Sequence, residues 1–218
     1  MTLFLGGGGD IEESVRIDKE FFNYIDEKSK ILYIAAACDF TTYENCFKWF
    51  YSLVTKYVSL SRENIIMLSD EEKIPELSKF KAIYIGGGNT YKLLNYICKT
   101  GLKDKVVEFL DKGGLIFGGS AGAIIFGTTI ETVAEERENY PDNSSISYVK
   151  KYAIRCHYQK EEDNLYQNLS KSLKQDILAI PEDGGIIIDK NDIKKIIGDV
   201  ILFSGNQKHT LRLNNAKL

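Results

Sequence analysis

Short apolar runs alternate with amphipathic stretches through the first two thirds of the chain, the pattern of strand and helix units that build a mostly parallel sheet. Thr2–Leu5, Ile31–Ala36, Ile65–Leu68, Ala82–Ile85 and Leu115–Phe117 read as strands. Between them, Glu12–Asp26 places Val15, Phe21, Phe22 and Ile25 on one side of a helix, and Tyr43–Tyr57 repeats Phe47, Phe50, Tyr51 and Val54 at helical spacing. That aromatic stripe reads as a core-facing side. Tyr91–Lys99 and Leu102–Lys112 complete the helices of this part.

The pattern changes after Gly127. Glu131–Ser147 is polar, contains Pro141 and carries Glu131, Glu135, Glu136 and Glu138, so it reads as a surface excursion. Lys151–Arg155 reads as a strand delivering His157, and Glu161–Leu173 as a helix. The tail from Ile177 alternates short strands (Ile186–Ile188, Ile196–Ile197, Val200–Phe203, His209–Leu213) with turns at 190–192 and at Gly205-Asn206, predicting antiparallel hairpins that close one end of the sheet. The expected fold is therefore α/β: a mostly parallel central sheet flanked by helices, with C-terminal antiparallel hairpins, in one domain spanning 1–218.

Composition narrows the function classes. A chain of 218 residues with 44% hydrophobic and 27% charged positions can bury a sizeable core. Lys plus Arg number 28 against 31 Asp plus Glu, so there is no excess of cations to displace counterions from a nucleic acid. No stretch reaches the roughly 20 apolar residues needed to span a bilayer. MTLFLGGGGD lacks the basic start of a secretory signal, and the four cysteines include no C-x-x-C, so reduced thiols in a cytoplasm are expected. Two histidines and scattered cysteines offer no dedicated zinc or iron set. Neither Gly6–Gly9 nor Gly86–Gly88 completes a dinucleotide or ATP fingerprint, and no cofactor is expected.

The sharpest local signal is Gly118-Gly119-Ser120-Ala121-Gly122, a G-x-S-x-G between an apolar strand and a helix-like run, Ala123–Phe126. A serine on a tight strand-to-helix turn needs small neighbours, and the turn presents backbone N–H groups to a developing oxyanion. The same glycines would also serve close packing or an anion site, which keeps a catalytically silent ligand-binding protein of the same fold as the alternative. A serine nucleophile requires a base, and only His157 and His209 can supply one. His157, opening the loop after a strand, is the better placed; His209 reads as a solvated strand residue. A carboxylate should orient the imidazole, and Glu131, Glu135, Glu136 and Glu138 all lie between serine and histidine. Gly86-Gly87-Gly88-Asn89-Thr90 forms a second glycine turn, with Asn89 or Thr90 available as a helix cap. Cys156, next to His157, reads as core rather than as a thiol nucleophile.

Gly86-Gly87-Gly88-Asn89-Thr90, Gly119-Ser120-Ala121-Gly122-Ala123, His157-Tyr158 and Ile180-Pro181-Glu182 follow one another as in the peptidase E family, the aspartyl dipeptidases and their cyanophycinase relatives, and the chain resembles that family over nearly its whole length. The resemblance implies a fold similar to class I glutamine amidotransferases and a serine peptidase acting on short peptides, including dipeptides with an N-terminal acidic residue. It puts the nucleophile on Ser120, the base on His157, the acid on Glu135, and the oxyanion-hole N–H groups on Gly88 and Ala121. It implies a small peptide as partner, with a homodimer allowed. One departure stands out: Lys160–Ile180 contains no arginine, only Lys160, Lys171 and Lys174, and lysine lacks the fork that grips a substrate carboxylate.

Overall fold

The computed structural model describes residues 2–70, 72–133, 145–190 and 192–212. Its strands are β1 (Thr2–Gly6), β2 (Ile31–Ile34), β3 (Ile65–Leu68), β4 (Ala82–Ile85), β5 (Leu115–Gly119), β6 (Tyr152–Arg155), β7 (Asp176–Ala179), β8 (Gly185–Asp189), β9 (Asp192–Ile197), β10 (Ile201–Ser204) and β11 (Gln207–Thr210). The helices are α1 (Val15–Phe22), α2 (Tyr43–Tyr57), α3 (Thr90–Lys99), α4 (Leu102–Asp111), α5 (Ala121–Ile124) and α6 (Asp163–Leu173). A seven-stranded sheet runs in the order β3-β2-β4-β5-β1-β8-β9; β3 to β1 are parallel, and β8 and β9 add an antiparallel edge.

The inner parallel strands are almost wholly apolar because both faces are covered, whereas Ile66 on the edge strand β3 is exposed. Leu3, Leu5, Leu32, Ile34, Ile83, Ile85 and Ile116 point into one core with α3, α4 and α5. Phe4, Tyr33, Tyr84 and Phe117 point the other way, against α1 and α2. The aromatic residues of the central strands thus share one face, the face over which the cleft described below opens.

Two expectations from the sequence are corrected. The helix expected over Glu12–Asp26 is only α1, Val15–Phe22, because residues 10–14 are a capping turn: Asp10 Oδ1 accepts the N–H groups of Glu12 and Glu13, and Glu13 Oε2 accepts that of Asp10. The tail does not all close one end of the large sheet. Only β8 and β9 do so; β10 and β11 join β7 and β6 in a second, four-stranded sheet, order β11-β10-β7-β6. Apolar side chains on both faces of β10 explain this: Leu202 enters the main core, while Ile201 and Phe203 pack with Tyr166 of α6. Other bounds shift by a few residues: the strand read at Ile31–Ala36 ends at Ile34, that at Ile196–Ile197 begins at Asp192, and that at His209–Leu213 is Gln207–Thr210. Thr42 Oγ1 caps α2 through the Asn45 N–H, and Asn89 Oδ1 caps α3 through the Lys92 N–H at 2.9 Å.

Candidate active site

Three glycine-containing turns meet at the C-terminal ends of β1, β4 and β5. Residues Gly6 and Gly119 are in register across β1 and β5, and Ile85 pairs with Gly118 across β4 and β5, so the turns after these strands are neighbours. Ser120 stands alone between β5 and α5 with φ 52° and ψ −117°, a backbone state that costs about 1–3 kcal/mol. Main-chain bonds hold it there. Its N–H donates to the Gly6 carbonyl at 3.2 Å, and its carbonyl accepts the N–H groups of Ala123 (2.8 Å) and Ile124 (3.0 Å). On this strand-to-helix turn Ser120 lines the cleft described below.

His157 follows β6 and takes φ 55°; its N–H donates to the Gly7 carbonyl at 2.9 Å. The ring bridges two partners: Nε2 lies 2.8 Å from Ser120 Oγ and Nδ1 3.0 Å from Glu182 Oε1. A carboxylate at Nδ1 keeps the proton on that nitrogen, leaving Nε2 as acceptor for the serine hydroxyl. Gly8 lies against this pair. A Cβ there would sit 2.6 Å from His157 Nε2 and 2.8 Å from Ser120 Cβ, and its φ of +97° favours glycine in any case.

Sequence reasoning missed Glu182. Glu135, Glu136 and Glu138 lie outside the described residues, and Glu131 is exposed with its N–H on Thr129 Oγ1. Among the described residues, the carboxylate bonded to His157 is that of Glu182. The reason is a strand pairing: β6 and β7 are parallel with Arg155 opposite Ala179, so the residues just beyond each, His157 and Glu182, leave the same end of the second sheet. The only linear signal was its place in Ile180-Pro181-Glu182.

The second glycine turn faces the nucleophile. A Cβ on Gly87 would fall 3.1 Å from Ser120 Cβ, and Gly88 at φ +132° has no room for one, since it would meet the Ala37 carbonyl oxygen at 2.2 Å. That same oxygen accepts the Asn89 N–H at 2.9 Å. The segment around Ala37 is tied in turn by Lys92, whose Nζ donates to the Cys38 carbonyl at 2.7 Å and pairs with Asp70 at 3.2 Å. Cys156 is buried, as expected, and His209 is exposed on β11.

From Ser120 a cleft of about 690 Å³ extends toward α2, within the range of small-molecule sites. Beneath it α1 buries Asp18. The Ser14 hydroxyl, on the cleft wall, lies 2.6 Å from both the Asp10 carbonyl oxygen and Asp18 Oδ2. One hydroxyl has one proton to give, so it serves these two acceptors one at a time. Burial pushes the Asp18 carboxyl up to about 6, although its bond to Ser14 and the charge of Lys56 pull the other way.

Comparison with known proteins places the chain in a family. Residues 2–196 match peptidase family S51. Peptidase E of Pasteurella multocida is 28% identical over 173 residues, covering 72% of this chain and 74% of that protein. Peptidase E of Haemophilus influenzae strain PittGG is 27% identical, covering 58% of each. Two crystal structures share the fold: a candidate peptidase E protein of Listeria monocytogenes EGD-e, with TM-score 0.67 and 19% identity over 97% of this chain and 98% of that one, and a peptidase from an acI-B1 Actinobacterium, with TM-score 0.66 and 17% identity over 96% and 93%. With nearly the whole sequence matched, and a serine on a strained turn beside a histidine, the chain belongs to peptidase family S51 and is a serine-type peptidase.

Proposed function

We propose that the enzyme hydrolyses short peptides through an acyl-enzyme on Ser120, with His157 as base and Glu182 as the carboxylate that orients it. The observation that carries this reading is the unbroken chain from Ser120 Oγ to His157 Nε2 and from His157 Nδ1 to Glu182. His157 takes the hydroxyl proton as Oγ attacks the scissile carbonyl; Glu182 stabilises the imidazolium that forms. The carbonyl oxygen gains negative charge, which the N–H groups of Gly88 and Ala121 receive. His157 then gives its proton to the departing amine. Water, activated by the same histidine, attacks the ester and releases the acid.

The side chains of His157 and Glu182 are 43% and 42% exposed, so the base is open to a peptide and to water from one side. No step calls for a metal or an organic cofactor, and the partner is a peptide. Glu135 enters as the rival acid, since the family resemblance assigns the role there.

Intact-mass labelling with a fluorophosphonate tests the reading. One adduct on the wild-type protein, none on Ser120→Ala and slowed labelling of His157→Ala are expected. Absence of an adduct on the folded wild-type protein overturns the assignment of Ser120 and favours a silent binding protein.

A further inference from the structure

The cleft wall carries a continuous row of aromatic rings that begins beneath the nucleophile. Phe117 lies on the strand that ends at Ser120 and stacks on Tyr84 with ring centroids 4.6 Å apart; Tyr84 meets Tyr33 at 6.0 Å and Trp49 at 6.3 Å. Phe40, on the loop before α2, stands at the mouth. Phe40 is 74% exposed and Trp49 37%, so two of the few large exposed hydrophobic side chains among the described residues flank one opening. Apolar surface left in water at the rim of a concave site marks a place where an apolar group is received.

Strand order says which part of a peptide meets this wall. β4 and β2 lie on one side of β5, and β1 on the other. The aromatic row runs from β5 across β4 and β2 to α2, whereas His157 docks on the β1 side through the Gly7 carbonyl. His157 must face the leaving amine. The acyl side of the scissile bond therefore points along the aromatic row.

The charges on the cleft disfavour an acidic occupant. No lysine or arginine lines it among the described residues; its carboxylate is that of Asp10. The nearby cations are engaged elsewhere, Lys92 with Asp70 and the Cys38 carbonyl, Lys56 with Glu12 and the Ile11 carbonyl. Among the described lining residues a substrate carboxylate finds no cation and lies beside a like charge.

We propose that this cleft receives a large uncharged side chain, aromatic or branched aliphatic, from the residue whose carbonyl is attacked, with Trp49 and Phe40 as specificity-determining residues that favour it over aspartate. The proposal rests on the serine-peptidase reading and replaces an N-terminal acidic preference within it. Cleavage of Phe-Leu, Leu-Leu, Asp-Leu and Lys-Leu is compared for the wild-type enzyme, Trp49→Ala, Phe40→Ala and Asn45→Arg, alongside calorimetric binding of Phe-Leu and Asp-Leu to Ser120→Ala. Phe-Leu should exceed Asp-Leu by about tenfold or more in kcat/KM, Trp49→Ala or Phe40→Ala should shrink that ratio by about tenfold, and Asn45→Arg, which adds a cation to the wall, should shift it toward Asp-Leu. Preference for Asp-Leu or Lys-Leu, or a ratio unmoved in both alanine variants, overturns the proposal. Ser120→Ala separates the two levels. If it binds Phe-Leu over Asp-Leu while the wild-type serine takes no fluorophosphonate, the peptidase assignment fails and the cleft assignment stands; labelling with the opposite binding preference does the reverse.

Discussion

At the Ser120 end of the cleft the walls are main chain, with Gly8, Gly87 and Gly88 packed so closely that a Cβ at any of them would crowd a neighbour; at the α2 end the walls are the rings of Tyr33, Trp49 and Phe40. The first end is specified by what is missing. Its geometry comes from carbonyl and N–H positions fixed by the sheet, and a single methyl group displaces the reacting atoms. The second end is made of side chains, two of them exposed enough to be exchanged without opening the core. Reaction type and substrate choice are thus carried by separate kinds of structure within one cavity.

The largest effect should come from breaking the main-chain end. Gly8→Ala pushes a methyl group against both Ser120 and His157, and we expect a loss of about 10²-fold or more in kcat with an unchanged far-ultraviolet spectrum. Activity close to wild type would show that the turn relaxes freely, and the contrast would fail.

Next, Glu182→Gln should lower kcat by about 10²-fold with little change in KM, because a neutral amide neither fixes the tautomer nor balances the imidazolium. Glu135→Gln run in parallel decides between the two carboxylates: a larger loss there transfers the role to Glu135.

Asp18 sharpens the comparison from below. Its folded pKa is raised, so the buried carboxyl costs nothing while neutral, below about pH 4, and destabilises the fold increasingly as pH rises through about 6. A shift from 3.8 to about 6 corresponds to at most about 3 kcal/mol. Asp18→Asn should gain about 1–2 kcal/mol at pH 7.5 and nothing at pH 4, measured by urea unfolding at both. An equal gain at the two pH values would mean that the carboxyl does not titrate there.

The smallest effect is expected at the side-chain end. Phe40→Ala should alter unfolding free energy by less than about 0.5 kcal/mol, since its ring is already mostly in water. A Tm drop of many degrees would mean that this rim is structural.

The sequence made the large sheet legible because its inner strands are buried on both faces and appear as apolar runs, and because Asn89 marks the start of α3 chemically. The boundaries of α1 were less so: Asp10 to Ser14 has helix-like composition but spends its polar groups on a turn. Ser120 was found from its glycine motif and His157 from the shortage of other bases and its place after a strand, and the structure brings them within 2.8 Å. Glu182 was not, since its proximity to His157 depends on which two short strands pair, a fact that no run of neighbouring residues encodes. The same holds for β10, whose partner is β7 rather than the large sheet.

The pairing of β6 with β7 also has a consequence for when the enzyme comes into being. Ser120 and its glycine turns belong to the large sheet, whereas His157 and Glu182 hang from the second one, and the two meet only when β7 is in place. A chain growing on the ribosome, N-terminal portion first, completes the strand before the serine long before it makes Glu182, the proposed partner of the base. Under the proposed triad, a chain truncated before β7 would carry the serine without Glu182, the carboxylate that meets His157.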